Sequence, residues 1–161
     1  MIREVRPSDL ERCFLIETIS YRGDEAASKE KILKRIITYP EGFVVIEANG
    51  EVVGFINSGA TNEVDLADEE FKDLAGHDSD GQHVVIMSVV VHPNHQGNGF
   101  ADQLMEFFIS KMKDLSKTSL NLICQRNLIG FYQRHGFQLV GKSASNHGGL
   151  EWYEMDNTIK S

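Results

Sequence analysis

Residues 83–105, HVVIMSVVVHPNHQGNGFADQLM, join an apolar run to a helical repeat through a glycine turn. HVVIMSVVV (83–91) is a near-continuous run of strand length, which predicts a strand buried on both faces and central in its sheet. From about Gly97 to Leu115 the residues Phe100, Leu104, Phe107, Phe108, Met112 and Leu115 recur at helical spacing and form one apolar stripe, an ordinary core face. Between strand and helix, Gly97 and Gly99 flank Asn98. Such a turn exposes the first backbone N–H groups of the helix, and these together with the helix dipole favour an anion such as a phosphate. Gly97, Gly99 and Ala101 are all small, so a ligand can approach the backbone closely.

Two phosphate motifs fail on this turn. A nucleoside triphosphate loop needs G-x-x-x-x-G-K-S/T, and the turn has no Lys and no Ser or Thr in place. A dinucleotide fingerprint needs a third glycine where Asp102 stands, early in a βαβ unit rather than past the middle of the chain.

Upstream, MIREVRP reads as a short first strand. Ser8 with Glu11 three positions on predicts a capping box for a helix whose apolar face starts with Leu10, Phe14 and Ile16. Ser28 predicts the cap of a second helix carrying Ile32, Leu33, Ile36 and Ile37. GFVVIEANGEVVGFINSG places two β-rich runs around Asn49-Gly50, the dipeptide of a type I′ hairpin turn. Residues 61–81 are polar and acidic, with Leu66, Phe71 and Leu74 hinting at a short helix inside a long loop; loops of this length are functional or solvated insertions.

Downstream, TSLNLIC reads as a strand, NLIGFYQRHGF as a helix ended by Gly136, and FQLVGKSASN with GLEWYEMDN as a closing hairpin across Gly148-Gly149. The order β-α-α-β-β-loop-β-α-β-α-β-β, without repeats or linkers, predicts one α/β (α+β) domain over residues 1–161 with a mixed sheet.

A chain of 161 residues with 41% hydrophobic and 25% charged residues has an ordinary globular composition. The net charge of -8 argues against a nucleic-acid partner and is compatible with a cationic substrate. Cys13 and Cys124 form no metal spacing and point to a reducing compartment. No apolar leader or membrane-length run is visible, so the expectation is a cytoplasmic protein with no membrane partner and no metal.

Gln96-Gly97-Asn98-Gly99-Phe100-Ala101 reads Q-x-x-G-x-A, and here the sequence resembles the GNAT superfamily of acetyl-CoA-dependent N-acetyltransferases. The resemblance extends to Val91-His92-Pro93 at the strand exit and to Phe131-Tyr132 with Gly136-Phe137 in GFYQRHGFQLVG, and the element order follows the family over residues 1–157. FYQRHGFQLVG, GGLEWYEM and the acidic loop are similar in turn to the arylalkylamine (serotonin-type) N-acetyltransferase branch.

The resemblance implies a central, mainly antiparallel sheet of about seven strands, with about four flanking helices and strands 4 and 5 splayed for the cofactor. It implies that the backbone at Val89, Val90 and Val91 pairs with the pantetheine arm, and that the N–H groups from Gln96 through Gly97, Asn98, Gly99, Phe100, Ala101 and Asp102 hold the pyrophosphate. Asn127 is matched to a pantetheine contact, with helix capping as its other reading. Tyr132 matches the general acid: a phenol of pKa near 10 stays protonated at pH 7 and can donate to a departing CoA thiolate. Val89 and Ile123 match positions that touch the acceptor.

The branch's pair of proton-relaying histidines is matched by Val85 and Met87, which carry no proton. His83, two residues before Val85 on the same face, is a substitute acting through water; His147 and the acidic loop are weaker ones, while His92 and His95 lie beside the turn. Cys124 reads as a small buried hydrophobe, which favours direct transfer over an acetyl-cysteine. The implied activity is acetyl transfer from acetyl-CoA to a primary amine of a small molecule, an arylalkylamine or a polyamine. Transfer to a protein or peptide amine, and a non-catalytic acetyl-CoA sensor, are the rival readings, with a homodimer left open.

Overall fold

The computed structural model describes residues 1–21 and 26–159. Seven strands form one mixed sheet: β1 (Ile2–Glu4), β2 (Val44–Ala48), β3 (Glu51–Thr61), β4 (His83–Val91), β5 (Ser119–Cys124), β6 (Gln138–Lys142) and β7 (Tyr153–Thr158), in the spatial order β1-β2-β3-β4-β5-β7-β6. Four helices accompany it: α1 (Leu10–Ser20), α2 (Lys29–Thr38), α3 (Phe100–Asp114) and α4 (Ile129–Arg134). The β4–β5 ladder is parallel and holds only His83, Val84 and Val85 against Ser119, Leu120 and Asn121; the other ladders that bracket it, β1–β2, β2–β3, β5–β7 and β6–β7, are antiparallel.

The chain divides into two compact parts. The first comprises Met1–Ser58 and Met87–Phe108. Its core gathers Cys13 and Ile16 of α1, Ile32 and Ile36 of α2, and Phe43, Val45, Val52, Phe55 and Val90 from the strands and their edges. Each such side chain taken out of water contributes about 1.5–3 kcal/mol. The Asn49-Gly50 turn has φ of 54° and 77°, the double positive value that the dipeptide predicted.

Three local expectations are corrected here. The first helix is not capped by Ser8 and Glu11: residues 7–9 form a single 3-10 turn, and the Asp9 carboxylate accepts from the Arg6 N–H at 2.7 Å and from the Arg3 guanidinium at 2.8 and 3.0 Å. In α2 the Ser28 cap holds, accepting from the Lys31 N–H at 3.2 Å, but Ile37 is exposed. Arg35 is buried instead, with its guanidinium 3.5 Å from Asn57 Oδ1. Finally, α3 starts at Phe100 rather than Gly97, because Gly97 and Gly99 take φ of 82° and 79°, outside the right-handed helical region.

The second part comprises Gly59–Ile86 and Ile109–Ser161. Its acidic segment after β3 is anchored at several points. Phe71 and Leu74, on and just after the short 3-10 helix Glu69–Asp73, press on Gly59, where a Cβ would come within 2.9 Å of both. His77 Nδ1 accepts from the Ala60 N–H at 2.9 Å. Lys117 donates to the carbonyls of Ser79 and Gly81, each at 2.7 Å. Gly81 itself closes the loop against Thr61, whose backbone would lie 2.6 Å from a Cβ at that position. α4 ends as expected at Gly136, with φ of 90°.

The strand HVVIMSVVV lies fourth of seven, but it is not buried on both faces. Val84, Ile86, Ser88 and Val90 are buried, while His83, Val85, Met87 and Val89 are only half-buried. The strand that is buried on both faces is β3, throughout Val52–Thr61.

Candidate active site

The turn after β4 leaves a run of backbone donors open. The first helical hydrogen bond of α3 runs from the Gln103 N–H to the Gly99 carbonyl at 3.0 Å. The backbone N–H groups of residues 96–101 donate to nothing among the described residues, so a row of donors is left at the helix entry. A Cβ at Gly97 or Gly99 would meet nothing within 4 Å, so the space above the turn is open. The side chains fold the turn rather than fill it: Gln96 Nε2 donates to the Val91 carbonyl at 3.1 Å, and Asn98 Nδ2 to the His95 carbonyl at 3.2 Å. His92 Nδ1 accepts from the Asn94 N–H at 3.0 Å, and its ring meets His95 edge-on at 5.8 Å. Asp102 sits in the first turn of α3, where a carboxylate suits the helix dipole.

Tyr132 of α4 is 6% exposed, with its ring edge-on to Phe131 at 5.1 Å and Phe137 at 5.5 Å. The α4 C-terminus is closed by Phe137 and His135 N–H groups donating to the Tyr132 carbonyl at 3.1 and 3.0 Å. Asn127 lies in the 3-10 turn Arg126–Leu128 that precedes α4, is exposed, and caps nothing among the described residues.

Cys124 is 2% exposed, and its thiol donates to Met155 Sδ at 3.6 Å. Burial pushes that thiol up to about 11, so almost no thiolate is present near neutral pH. Its neighbour Ile123 is half-buried on the other face of β5, as strand alternation requires.

The half-buried face of β4 continues onto β5 and β7. Val85 pairs with Asn121, and Asn121 with Asp156, so the three form one row across the sheet. Val85 lines a cleft of about 430 Å³ together with Glu63, Asp65, Asp68, Asp78, Phe71 and Thr61. A smaller cavity of about 210 Å³ next to it is lined by Asn121, Glu154 and Asp156 and shares Asp65 with the cleft.

Val85 and Met87 leave this face without a titratable group at the positions where the relay was expected. His83 is half-buried, its Nδ1 2.7 Å from Ser119 Oγ, which also accepts from Asn121 Nδ2 at 2.9 Å. His147 is engaged elsewhere, its Nδ1 2.9 Å from Glu69 Oε1 and its carbonyl accepting from Trp152 Nε1 at 2.8 Å.

Asn121, Glu154 and Asp156 were not singled out from sequence. The available signal was partial alternation: Ser119 and Asn121 alternate with Leu120 and Leu122 in SLNLIC, and Glu154 and Asp156 flank Met155 in YEMDNT.

The chain matches the Acetyltransferase (GNAT) family over residues 8–137. It is 29% identical over 73 residues to the "Uncharacterized N-acetyltransferase ycf52" of Porphyra purpurea, covering 45% of this chain and 40% of that protein. The chain spans less than half the length of the curated relatives it matches, from 24% to 49%. Among solved structures, the loading GNATL domain of CurA from Lyngbya majuscula superposes with a TM-score of 0.88 at 19% identity, covering 99% of this chain and 97% of that one. The GphF GNAT-like decarboxylase in complex with isobutyryl-CoA superposes with a TM-score of 0.84 at 18% identity, covering 99% and 100%. The putative acetyltransferase yncA from Salmonella typhimurium, solved with acetyl-CoA, has a TM-score of 0.69 at 19% identity and coverage of 100% and 94%. At these identities the superpositions speak for the fold, whereas the family match runs through α1, the glycine turn and Tyr132: the chain belongs to the GNAT acetyltransferase family.

Proposed function

We propose that this chain transfers the acetyl group of acetyl-CoA to a primary amine of a small molecule, by direct attack in a ternary complex. The observation that carries the acceptor half is the cleft beside Val85. Its walls hold four carboxylates, none paired with a Lys or Arg among the described residues. Such a cleft attracts a protonated amine and repels an anion.

In this reading the open N–H row from Gln96 to Ala101 binds the pyrophosphate, with Asp102 next to it, and the Val89–Val91 backbone pairs with the pantetheine arm. Asn127, with no capping duty, is free to hydrogen-bond the same arm. Val89 and Ile123 present apolar surface to the acyl and acceptor groups. The amine nitrogen forms the new C–N bond as the thioester C–S bond breaks. Tyr132 donates its phenolic proton to the leaving sulfur, and the nitrogen gives up its proton to water in the cleft. With Val85 and Met87 in place of a histidine pair, the chain's own side chains add little to that last step, and acceptors of lower pKa react faster at neutral pH. The buried Cys124 thiol takes no part.

The test is thiol release from acetyl-CoA with a panel of arylalkylamines, aliphatic amines, polyamines, amino acids and peptides. Turnover confined to small amines supports the proposal; turnover on peptides alone, or tight acetyl-CoA binding with no turnover, overturns it.

A second reading, removal of a carboxyl group from an acyl-CoA without an amine, is suggested by the superposition on the GphF GNAT-like decarboxylase. The carboxylates around the cleft weigh against it, since they repel an anionic acyl group. Release of carbon dioxide from malonyl-CoA in the absence of amine would select it.

A further inference from the structure

We infer that Glu17 is a positioning residue for acetyl transfer: acting through Ser88, its buried carboxylate fixes the stretch of β4 that faces the thioester. This rests on the acetyl-transfer reading above and adds to it the part that holds the donor's track in place.

β4 needs such a part. It has β5 beside it only at His83, Val84 and Val85. From Ile86 to Val91 its one sheet neighbour among the described residues is β3. An open strand edge offers backbone groups to a ligand, but it also lacks the ladder that would hold it still. Alternation separates the two faces of this stretch. Met87 and Val89 are half-buried on the side assigned above to the acyl group, while Ser88 and Val90 are buried on the other.

α1 meets that buried side. Val90 packs in one core with Cys13 and Ile16. The Ser88 hydroxyl donates to Glu17 Oε1 at 3.0 Å. Glu17 Oε2 accepts from the Ala27 N–H at 2.8 Å, just ahead of the Ser28 cap of α2. One carboxylate thus joins α1, the entry to α2 and β4.

Packing alone does not explain a Glu here. Helical spacing puts Cys13, Ile16 and Glu17 on the inward face of α1, and Glu17 is 1% exposed beside two fully buried apolar side chains. A carboxylate is almost never buried so deeply, and an apolar side chain of similar volume would fill the space without the desolvation penalty. What an apolar side chain cannot do is accept two hydrogen bonds from two different elements. Bonds to a carboxylate are short and directional, so they fix Ser88, and with it the peptide unit leading into Val89, more closely than apolar contact does. A reacting group displaced by about 1 Å loses up to about a hundredfold in rate, which is the scale on which such a tie matters.

The experiment uses the full chain with acetyl-CoA and the best amine of the panel. Ser88→Ala removes the tie to β4 and leaves the Glu17–Ala27 bond in place. It should lower kcat by about tenfold or more while the Kd for acetyl-CoA changes little, because the glycine turn is untouched. Glu17→Gln, whose amide can bridge the same two partners, should keep most of kcat. Ile16→Val, a change in the same core one residue away, should lower stability and leave kcat alone. An unchanged kcat in Ser88→Ala, an equal fall in Ile16→Val, a loss of affinity that matches the loss of kcat, or a Glu17→Gln as slow as Ser88→Ala overturns the inference. If the unmodified protein acetylates no amine, the acetyl-transfer reading fails by itself, and the infrared carbonyl band of the bound thioester decides the positioning separately. A band displaced from its free position in the unmodified protein and returned toward it in Ser88→Ala sustains the inference; the same band in both, or no bound thioester in either, overturns it.

Discussion

The Gln96 side chain donates to the Val91 carbonyl at 3.1 Å and so ties the glycine turn back to the last residue of β4. The tie holds the loop in the shape that leaves the N–H row of residues 96–101 unspent. Gln96→Ala should therefore weaken acetyl-CoA binding about tenfold, and Gly99→Val by more. A branched side chain at φ of 79° is strained, and it fills the open space above the turn. Calorimetric titration with acetyl-CoA measures both; unchanged affinity in Gly99→Val would refute the phosphate assignment.

Tyr132→Phe keeps the ring packing against Phe131 and Phe137 and removes the phenolic hydroxyl. Loss of a positioned acid lowers kcat by about a hundredfold. Acetyl-CoA affinity should change little, so kcat and Kd separate. An unaltered kcat across pH would sink the general-acid role.

Cys124 makes the opposite prediction. Because burial holds its thiol up near 11, it should resist iodoacetamide at pH 8 in the folded protein. Cys124→Ala should retain acetyl transfer and cost about 1 kcal/mol of stability through the small void beside Met155. A labelled acetyl group recovered on the chain in mass spectrometry would contradict direct transfer.

The Arg3–Asp9 pair sets an acid limit. Burial raises the Asp9 carboxyl, but its hydrogen bonds from Arg3 and the Arg6 N–H outweigh this and hold it below the ordinary 3.8. A depressed carboxyl contributes stability that is present above the unfolded value and lost as pH falls through the folded one. Asp9→Asn should thus cost about 2 kcal/mol at pH 7 and progressively less below about pH 4. Urea unfolding at pH 7 and pH 3 checks this; an equal penalty at both values would exclude the ionic contribution.

Much of the architecture was legible because it is written in local chemistry. Asn49-Gly50 can hardly do anything but turn a hairpin, and Gly97 with Gly99 fixes where β4 stops and α3 cannot yet have begun. The burial of β4 was misread because apolar composition says that a strand tolerates burial, not that both faces are covered: His83, Val85, Met87 and Val89 stay half-open. Ile37 was misplaced for a similar reason, since Arg35 takes the inward position to reach Asn57. The glycine turn is contiguous in sequence, so its shape could be read there. The smaller cavity is assembled from Asp65, Asn121, Glu154 and Asp156, which come from separate stretches of chain, and only the strand registers bring the last three together.

Gly81 meets Thr61 backbone to backbone, so the acidic segment leaves and re-enters the fold through a single narrow neck. A segment with such a neck is a cassette. Its largely exposed stretch 62–67 can change in length and charge at little cost, because loop closure depends only weakly on the number of residues in between, whereas Phe71, Leu74 and His77 pin the rest to Gly59 and Ala60. The cleft walls from Glu63 to Asp78 ride on this segment, while the glycine turn does not. Under the proposed function, acceptor preference and acetyl-CoA recognition would then be written in separate stretches of one chain.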